Sequence, residues 1–264
     1  MTRPFFAALA SLLLCAPGSA QAVDLIPHHA FYELQLGKQN DQSSIVDAHG
    51  GMGIEVSETC DAWISKQRLR LSIRREEGEE VVTDNSFTSW ESKDGLRYRF
   101  SVRNRLNGEV TEEFRGDAHL KDRGGAGTAT FTQPEKRNVE LPKGALFPTN
   151  HVAQLLEAAR KGTHIFNRIV FDGATADGPD EINAIVGKPK PLEKLPGLEK
   201  KLGQPTWPMR WAFYPIGSKE ETPDYEIAVH MLDDGVVTDV NLIYEDFEVG
   251  GKIVYFEPLP VPKC

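Results

Sequence analysis

Cysteine is the residue type with the clearest chemistry in this chain, and its positions are unusual. Cys60 lies in the first third of the sequence, whereas Cys264 is its final residue. Neither belongs to a Cys-x-x-Cys pair or lies near a cluster of histidines, so the spacing does not indicate a metal site or a redox motif. In an oxidising compartment the two would most simply form one disulfide, with free or intermolecular thiols as the alternative.

The N-terminus predicts export to such a compartment. Arg3 precedes the apolar run Phe5–Leu14, and Ala20-Gln21-Ala22 has the small-x-small form of a cleavage site. We therefore expect residues 1–22 to be a secretory signal peptide that is removed. An uncleaved anchor and a lipoprotein signal acylated at Cys15 are the alternatives. The expected location is the periplasm.

The length fits one large all-β domain or two small domains, and because no linker or internal repeat divides the chain we expect a single exported domain over residues 23–264. The full sequence of 264 residues carries a formal net charge of −9, which argues against nucleic acid as a partner because phosphate backbones attract basic surfaces. The apolar run near the N-terminus is too short to span a bilayer, and no later stretch is apolar enough, so we expect no transmembrane segment in the mature chain.

The remaining residues with chemical potential give weak signals. His28 and His29 are adjacent, and neighbours on a strand point to opposite faces, so they cannot hold one metal ion together. The acidic group Asp177, Asp180 and Glu181 lies in a glycine-rich stretch without the register of a calcium loop. Neither a zinc-binding His-Glu-x-x-His nor a nucleophile elbow is present. We predict no catalytic residue, no metal and no cofactor; an enzyme acting on envelope polymers is the weaker alternative.

The elements that must position these residues are mainly strands. Apolar and polar residues alternate in "RLRLSIRRE" and "GLRYRFSVRN", and similar runs begin near residue 32 and return between residues 227 and 244. Each run indicates a strand with one dry face and one wet face. The pairs Asp94-Gly95, Asn107-Gly108, Asp234-Gly235 and Gly250-Gly251 predict tight hairpin turns, which makes the strands antiparallel neighbours.

One segment has helical periodicity instead. Val152, Leu155, Leu156 and Ala159 fall at i, i+3, i+4 and i+7, and Lys161-Gly162 marks a stop. Thr149 or Asn150 is positioned to cap the start. We expect this helix to bury its apolar stripe against the concave face of the sheet. The proline- and lysine-rich stretch from residue 186 to 208 predicts a long mobile connection, and its role is left open.

So many antiparallel strands cannot remain an open flat sheet, because twist and exposed edges favour curling. A closed or nearly closed barrel is therefore expected, with a two-sheet sandwich as the alternative. A dry face larger than one short helix can cover would leave an apolar groove. The candidates for its lining are Leu155 and Leu156 on the helix, with Tyr98 and Phe100 on the sheet.

Several longer stretches carry a family resemblance. "PHHAFYEL", "CDAW", "SWESKDGLRYRF", "ELPKGALFPTNHV", "VFDG" and the terminal "YEDFEVGGKIVYFEPLPVPKC" together resemble the EipB family of alphaproteobacterial periplasmic proteins of cell-envelope integrity. The resemblance covers nearly the whole chain from about Pro27. It implies an all-β fold with one or two helices, a spiral antiparallel β-barrel similar in architecture to periplasmic lipoprotein carriers. It also implies a disulfide between Cys60 and Cys264 and a periplasmic tetratricopeptide-repeat protein as partner.

The leading functional hypothesis is a non-enzymatic periplasmic protein that maintains the envelope under stress. It would bind a lipid, the acyl chain of a lipoprotein, or a partner segment in the concave apolar groove. The alternative is an adaptor or scaffold whose barrel is fully packed inside and whose outer face binds another envelope protein.

Overall fold

The computed structural model describes residues 23–264, and the predicted signal peptide at 1–22 lies outside them. The described part contains one α-helix, α1 (Pro148–Arg160), and a 3-10 helix (Glu199–Lys201). Its strands are β1 (His28–Gln39), β2 (Ile45–Glu58), β3 (Ala62–Arg75), β4 (Val81–Ser92), β5 (Arg97–Leu106), β6 (Glu109–Leu120), β7 (Gly127–Gln133), β8 (Arg137–Leu141), β9 (Ile165–Val170), β10 (Asp180–Val186), β11 (Lys190–Pro191), β12 (Pro205–Pro215), β13 (Tyr225–Leu232), β14 (Val237–Ile243) and β15 (Phe247–Pro258).

These strands form one antiparallel sheet within the described residues. Its order is β8-β7-β6-β5-β4-β3-β2-β1-β15-β14-β13-β12-β10-β9, and β11 attaches to β12. The two ends of this path are not paired with each other. Instead Leu146, which follows β8, makes a parallel bridge to Val170 in β9. The sheet is therefore a curled barrel without full closure, as the alternating pattern and the crowded strands predicted.

The predicted turns are correct with one exception. Asn107 and Gly108 both have positive φ, 52° and 91°, and connect β5 to β6. Gly95 and Gly235 likewise have positive φ between adjacent strands. Gly250-Gly251 is not a turn, because both residues lie inside β15. A Cβ on residue 251 would lie 2.6 Å from a methyl carbon of Leu34, so glycine is needed there for close packing, not for chain reversal.

Two large hydrophobic cores cover most of the concave face of the sheet, beside a small cluster of Val170, Ile182 and Phe213. The larger core joins Leu155 and Leu156 of α1 to strands β1, β2, β3, β9, β10 and β12–β15. The second, which we call the aromatic core, combines strands β5–β8 with Phe147 and Phe171. Phe147 ends the segment that leads from β8 into α1, so the chain passes from one core to the other at the start of the helix.

The strand register brings several connections to the same end of the barrel. Cys60 lies in the turn between β2 and β3, and the start of β1 pairs with the end of β15 through His28 and Pro258. At the same end, Trp63 in β3 pairs with Glu91 in β4, and Glu91 pairs with Tyr98 in β5. We call this the disulfide end.

The stretch from 186 to 208 is more ordered than predicted. Lys190–Pro191 form β11, and Leu192 and Leu198 are buried in the larger core. The ammonium group of Lys201 pairs with the Asp234 carboxylate in the β13–β14 turn. The prediction of a mobile connection is therefore wrong. Prolines and lysines dominate the composition of this segment, but the burial of Leu192 and Leu198 fixes its position.

Candidate functional site

The predicted disulfide between Cys60 and Cys264 is present. The two sulfur atoms are 2.06 Å apart, and the cysteines are separated by 204 residues in sequence. After β15 the tail is held by a hydrogen bond from the Leu259 amide to the Pro27 carbonyl, 2.8 Å long. It then reaches the β2–β3 turn. Because the tail lies beside β1 and its last residue is bonded beyond β2, the disulfide fastens the C-terminus across the seam where the two halves of the chain meet.

A buried carboxylate holds the start of α1. Glu91, at the end of β4, accepts hydrogen bonds from the backbone amides of Thr149 at 2.7 Å and Asn150 at 2.9 Å. The Asn150 side-chain amide donates to the same carboxylate at 2.9 Å. Burial raises the pKa of Glu91, and the bonds from Asn150 and Thr149 oppose that rise. The helix is thus capped by a residue more than fifty positions away in sequence.

This arrangement corrects the predicted helix start. The N-cap residue is Phe147, which has no side-chain cap hydrogen bond, and Pro148 begins the helix. Thr149 and Asn150 were predicted to cap the helix with their own side chains; they lie in its first turn and donate to Glu91. Local sequence suggested a local cap because Thr and Asn are common at that position. The cap in fact depends on the tertiary fold.

The end of α1 is fixed at the same end of the barrel. The Arg160 side chain pairs with the Asp233 carboxylate at 2.5 Å and donates to the Asp233 carbonyl at 3.2 Å. Asp233 belongs to the turn between β13 and β14. A cation in the last turn of a helix also interacts favourably with the helix dipole. Both ends of α1 are therefore attached to the sheet through charged groups.

His151 is a buried polar residue on the packed face of α1. Its ring lies 5.8 Å from Phe166 and 5.9 Å from Trp211, centroid to centroid. Its Nε2 atom and the Trp211 Nε1 atom are both buried without a hydrogen-bond partner among the described residues. Burial, and to a smaller extent the charge of Arg168, lower the pKa of His151 from 6.5 to about 4. The ring is therefore neutral at physiological pH.

The four residues predicted to line a groove lie in the two cores. Leu155 and Leu156 belong to the larger core, whereas Tyr98 and Phe100 belong to the aromatic core, and none of them is more than 4 % exposed. Tyr98 stacks on Phe147 with ring centroids 4.9 Å apart and donates its hydroxyl to the Asp172 carbonyl at 3.1 Å. A single groove lined by all four is not formed in this conformation, because protein atoms already fill the space around each.

Between the cores, part of the concave face is incompletely covered, because the apolar side chains there pack against the larger core or the aromatic core without being fully buried. Two rows of paired residues cross β2, β3 and β4 there: Ile54 opposite Gln67 opposite Phe87, and Met52 opposite Leu69 opposite Asn85. Gln67 is exposed and the other five are half-buried. We call Met52, Ile54, Gln67, Leu69, Asn85 and Phe87 the concave patch. It combines apolar side chains with two amides that can hydrogen-bond.

The chain is similar to known proteins over most of its length. The model of the EipB-like family matches residues 19–260. The chain belongs to the EipB-like family. The cell envelope integrity protein EipB of Brucella abortus (strain 2308) is 29% identical over 244 residues, which cover 90% of this chain and 86% of that protein. The resemblance noted in the sequence is therefore confirmed.

The solved structures support the same conclusion for the fold. A crystal structure of a β-barrel-like protein from Brucella abortus, described as a domain of unknown function, superposes with a TM-score of 0.82 at 27% identity. The match covers 90% of this EipB-like chain and 100% of the other. The curled barrel described above is thus shared with a relative.

The concave patch of this EipB-like chain had a signal in the sequence that we did not use. The dry positions of β3 run through Ile73, Leu71 and Leu69 and then continue through Gln67 and Ser65. A polar residue at a dry position indicates that the covered part of the face ends there. The alternation was read as a uniform apolar face, so its interruption at Gln67 was missed.

Neither a metal-binding cluster nor a membrane-spanning helix occurs among residues 23–264. Among residues 23–264, no group of three or more His, Cys, Asp or Glu side chains is arranged to hold a metal ion. In the same residues, no helix is long and apolar enough to cross a membrane.

Proposed function

We propose that this chain is a periplasmic, non-enzymatic protein that maintains the cell envelope by binding an acyl chain of an envelope lipid or lipoprotein on the concave patch. The relationship to the Brucella envelope integrity protein supports the general role. The observation that carries the specific role is the row of half-buried apolar side chains on β2–β4, which packs against the larger core on one side and the aromatic core on the other.

The patch has the chemistry that an acyl chain requires. Met52, Ile54, Leu69 and Phe87 offer apolar surface, and methionine adapts to irregular ligands because its side chain is flexible. Gln67 and Asn85 offer amide groups to a polar headgroup or ester at the edge of that surface. Burying the apolar side chains further would be favourable by about 25 cal/mol for each Å² removed from water.

A fluorescent fatty acid tests this proposal. Dansyl-undecanoic acid should bind the purified mature protein with an increase in fluorescence. Phe87→Ser should weaken that binding about tenfold, because a half-buried aromatic ring is lost from the patch. Thr88→Ser is the matched control, since residue 88 neighbours Phe87 on the same strand but points to the other face.

The outcome separates the two functional hypotheses. If the wild-type protein shows no fluorescence change, or if both variants bind equally well, the lipid-binding role is wrong. Complementation provides the second measurement: the Phe87→Ser gene should fail to restore detergent resistance to cells that lack the protein, whereas the Thr88→Ser gene should restore it.

The adaptor role is the second candidate, and one observation favours it. Leu155, Leu156 and Tyr98 are fully buried, so the interior under the helix is filled by the protein itself. In that case the outer face would bind another envelope protein, for which a periplasmic tetratricopeptide-repeat protein is the proposed class. Crosslinking in cells that recovers the same protein partner from wild type and from Phe87→Ser would support this role.

A further inference from the structure

The outer face of β3–β5 has a charge pattern that contrasts with the rest of the molecule. The whole chain carries a formal net charge of −9. On the outward positions of these three strands, however, Asp84 is the one acidic residue. The basic residues that share this face are Lys66, Arg68, Arg70, Arg74, Arg97, Arg99, Arg103 and Arg105. Such a local concentration of one sign of charge attracts ligands of the opposite sign.

Internal pairing satisfies some of these arginines but not all. Arg68 makes two hydrogen bonds to Asp84, at 2.8 and 3.1 Å, and Arg103 pairs with Glu113 at 3.0 Å. Arg70 and Arg105 lie directly opposite Asp84 on the strands to either side. Within residues 23–264, neither has an acidic side chain at ion-pair distance. One carboxylate therefore serves three guanidinium groups.

A depression of 740 Å³ lies beside the exposed Arg70 on the same outer face. Its floor is the glycine-rich part of β2, where Gly51 pairs with Arg70 and Gly53 pairs with Arg68. Phe31 forms the opposite wall and is 46% exposed. The ring of Phe31 leans over β2, because a Cβ on residue 51 would lie 2.6 Å from its Cζ atom.

The glycines thus keep a flat, open floor between one aromatic ring and one unpaired arginine. A sugar ring fits such a place, because the C–H face of a sugar packs on an aromatic ring while its hydroxyl groups stay available for hydrogen bonds. Ser72 and Glu80 line the depression, where the Ser72 hydroxyl donates to one oxygen of the Glu80 carboxylate. The other carboxylate oxygen can accept from a sugar hydroxyl. An arginine recognises a carboxylate through two parallel hydrogen bonds.

An acidic peptide is less well matched to this surface. β2 is paired on both sides, with β1 and β3, and β3 is paired with β2 and β4, so no free strand edge is available to an extended peptide. The apolar side chains in the lining are limited to Phe31 and Val82, which is little for the apolar centre of a protein interface.

We propose that the depression between Phe31 and Arg70 binds an anionic glycan, with a sugar ring on the Gly51–Gly53 floor and a uronic carboxylate at Arg70. This inference concerns the outer face and does not depend on acyl-chain binding on the concave patch. The two proposals therefore succeed or fail separately.

Calorimetry with a defined oligosaccharide tests it. Trigalacturonic acid is the probe, and its methyl ester is the matched ligand that keeps the sugar rings but removes the charge. The mature protein should bind the acid at low salt, and the ester should bind about tenfold more weakly or not at all. Raising the salt concentration should weaken the binding of the acid, because salt screens the attraction between its carboxylates and the arginine.

Three variants locate the binding. Arg70→Gln should weaken trigalacturonate about tenfold, since the charged donor is lost. Gly53→Val should weaken it as strongly by filling the floor, and a Cβ at residue 53 meets no atom closer than 3.9 Å, so the strand tolerates it. Lys188→Gln removes an equal charge from the exposed segment before β11 and should change nothing.

The following results would overturn the proposal. One is a wild-type protein that does not bind trigalacturonate at millimolar concentration. Another is an equal loss in Lys188→Gln and Arg70→Gln, which would show nonspecific attraction. A third is tighter binding of hexaglutamate than of trigalacturonate, which would assign the surface to an acidic protein. Thermal unfolding of each variant shows whether it is folded. If Gly53→Val is unstable, Arg70→Gln still tests the proposal, because it changes an exposed side chain.

Discussion

The disulfide end and the concave patch are built from the same strands, but the first is held by bonds to other segments and the second is partly exposed to solvent. At the disulfide end, where β3 begins and β4 ends, both strands are attached to other parts of the chain. Cys60 in the β2–β3 turn is bonded to Cys264, and Glu91 near the end of β4 accepts hydrogen bonds from α1. A few residues further along these strands, Gln67 and Asn85 face partly open space. The comparison indicates that rigidity and exposure are separated along each strand.

This separation fits a binding protein. Binding surfaces that are exposed gain precision when a rigid scaffold holds them, because less order must be created when the ligand arrives. A helix tied at both ends and a crosslinked tail provide such a scaffold here. Changes at the disulfide end should therefore lower the stability more than changes in the concave patch.

Breaking the disulfide should have the greatest consequence. Cys60→Ser and Cys264→Ser should each lower the free energy of unfolding, by up to about 5 kcal/mol if loop entropy dominates for so long a loop. The double variant should be no less stable than either single one, because both remove the same bond. Urea unfolding measures the change. Additive losses, or two free thiols in the oxidised denatured wild-type protein, would contradict the assignment.

Removing the helix cap should be the next largest effect. Glu91→Ala leaves the backbone amides of Thr149 and Asn150 without an acceptor in a buried place, and we expect a loss of about 4 kcal/mol. Glu91→Gln keeps one acceptor oxygen and should lose less. Glu77→Ala, which changes an exposed glutamate in the β3–β4 turn, is the control and should stay within about 0.5 kcal/mol of wild type. Equal stability of Glu91→Ala and Glu77→Ala would refute the capping role.

Acid should weaken the helix attachment through His151. The pKa of this ring is lowered from 6.5 to about 4, so the folded state disfavours the protonated form. The associated stability is complete above pH 6.5 and is lost as the pH falls toward 4, by about 3 kcal/mol in total. His151→Phe should remove this part of the pH dependence. Urea unfolding of both proteins at pH 7, 5.5 and 4 gives the difference, and parallel curves would show that the histidine does not contribute.

The sequence predicted the barrel and the disulfide because both follow from local or very simple patterns. Alternation in β3 and β5 and turn residues such as Asn107-Gly108 define strands and hairpins without knowledge of the whole fold. The disulfide prediction follows because two cysteines remain when the expected signal peptide at residues 1–22 is set aside. These features need no information about which distant residues meet.

The candidate site was harder to predict because its residues differ from core residues only in their exposure, which depends on how distant elements pack. Leu155 and Tyr98 look like ligand contacts in sequence, since both lie on apolar faces, but whether such a face is filled depends on the partner element. Glu91 resembles any surface glutamate until the fold brings α1 to it. Burial and long-range capping are tertiary properties, and alternation alone does not distinguish a packed apolar position from an open one.

The smallest stability effect should come from the concave patch, and it gives the most direct comparison of the two regions. Leu155→Ala and Leu69→Ala remove the same atoms, but Leu155 is fully buried and Leu69 is half-buried. Leu155→Ala should lower the free energy of unfolding by about 4 kcal/mol, whereas Leu69→Ala should lower it by about 1 kcal/mol, because little cavity forms where solvent already reaches. Paired urea titrations measure both. If Leu69→Ala is as damaging as Leu155→Ala, the patch is part of the packed interior and the adaptor role becomes the better explanation; if the loss is small while fatty-acid binding falls, the open region serves a ligand and not the fold.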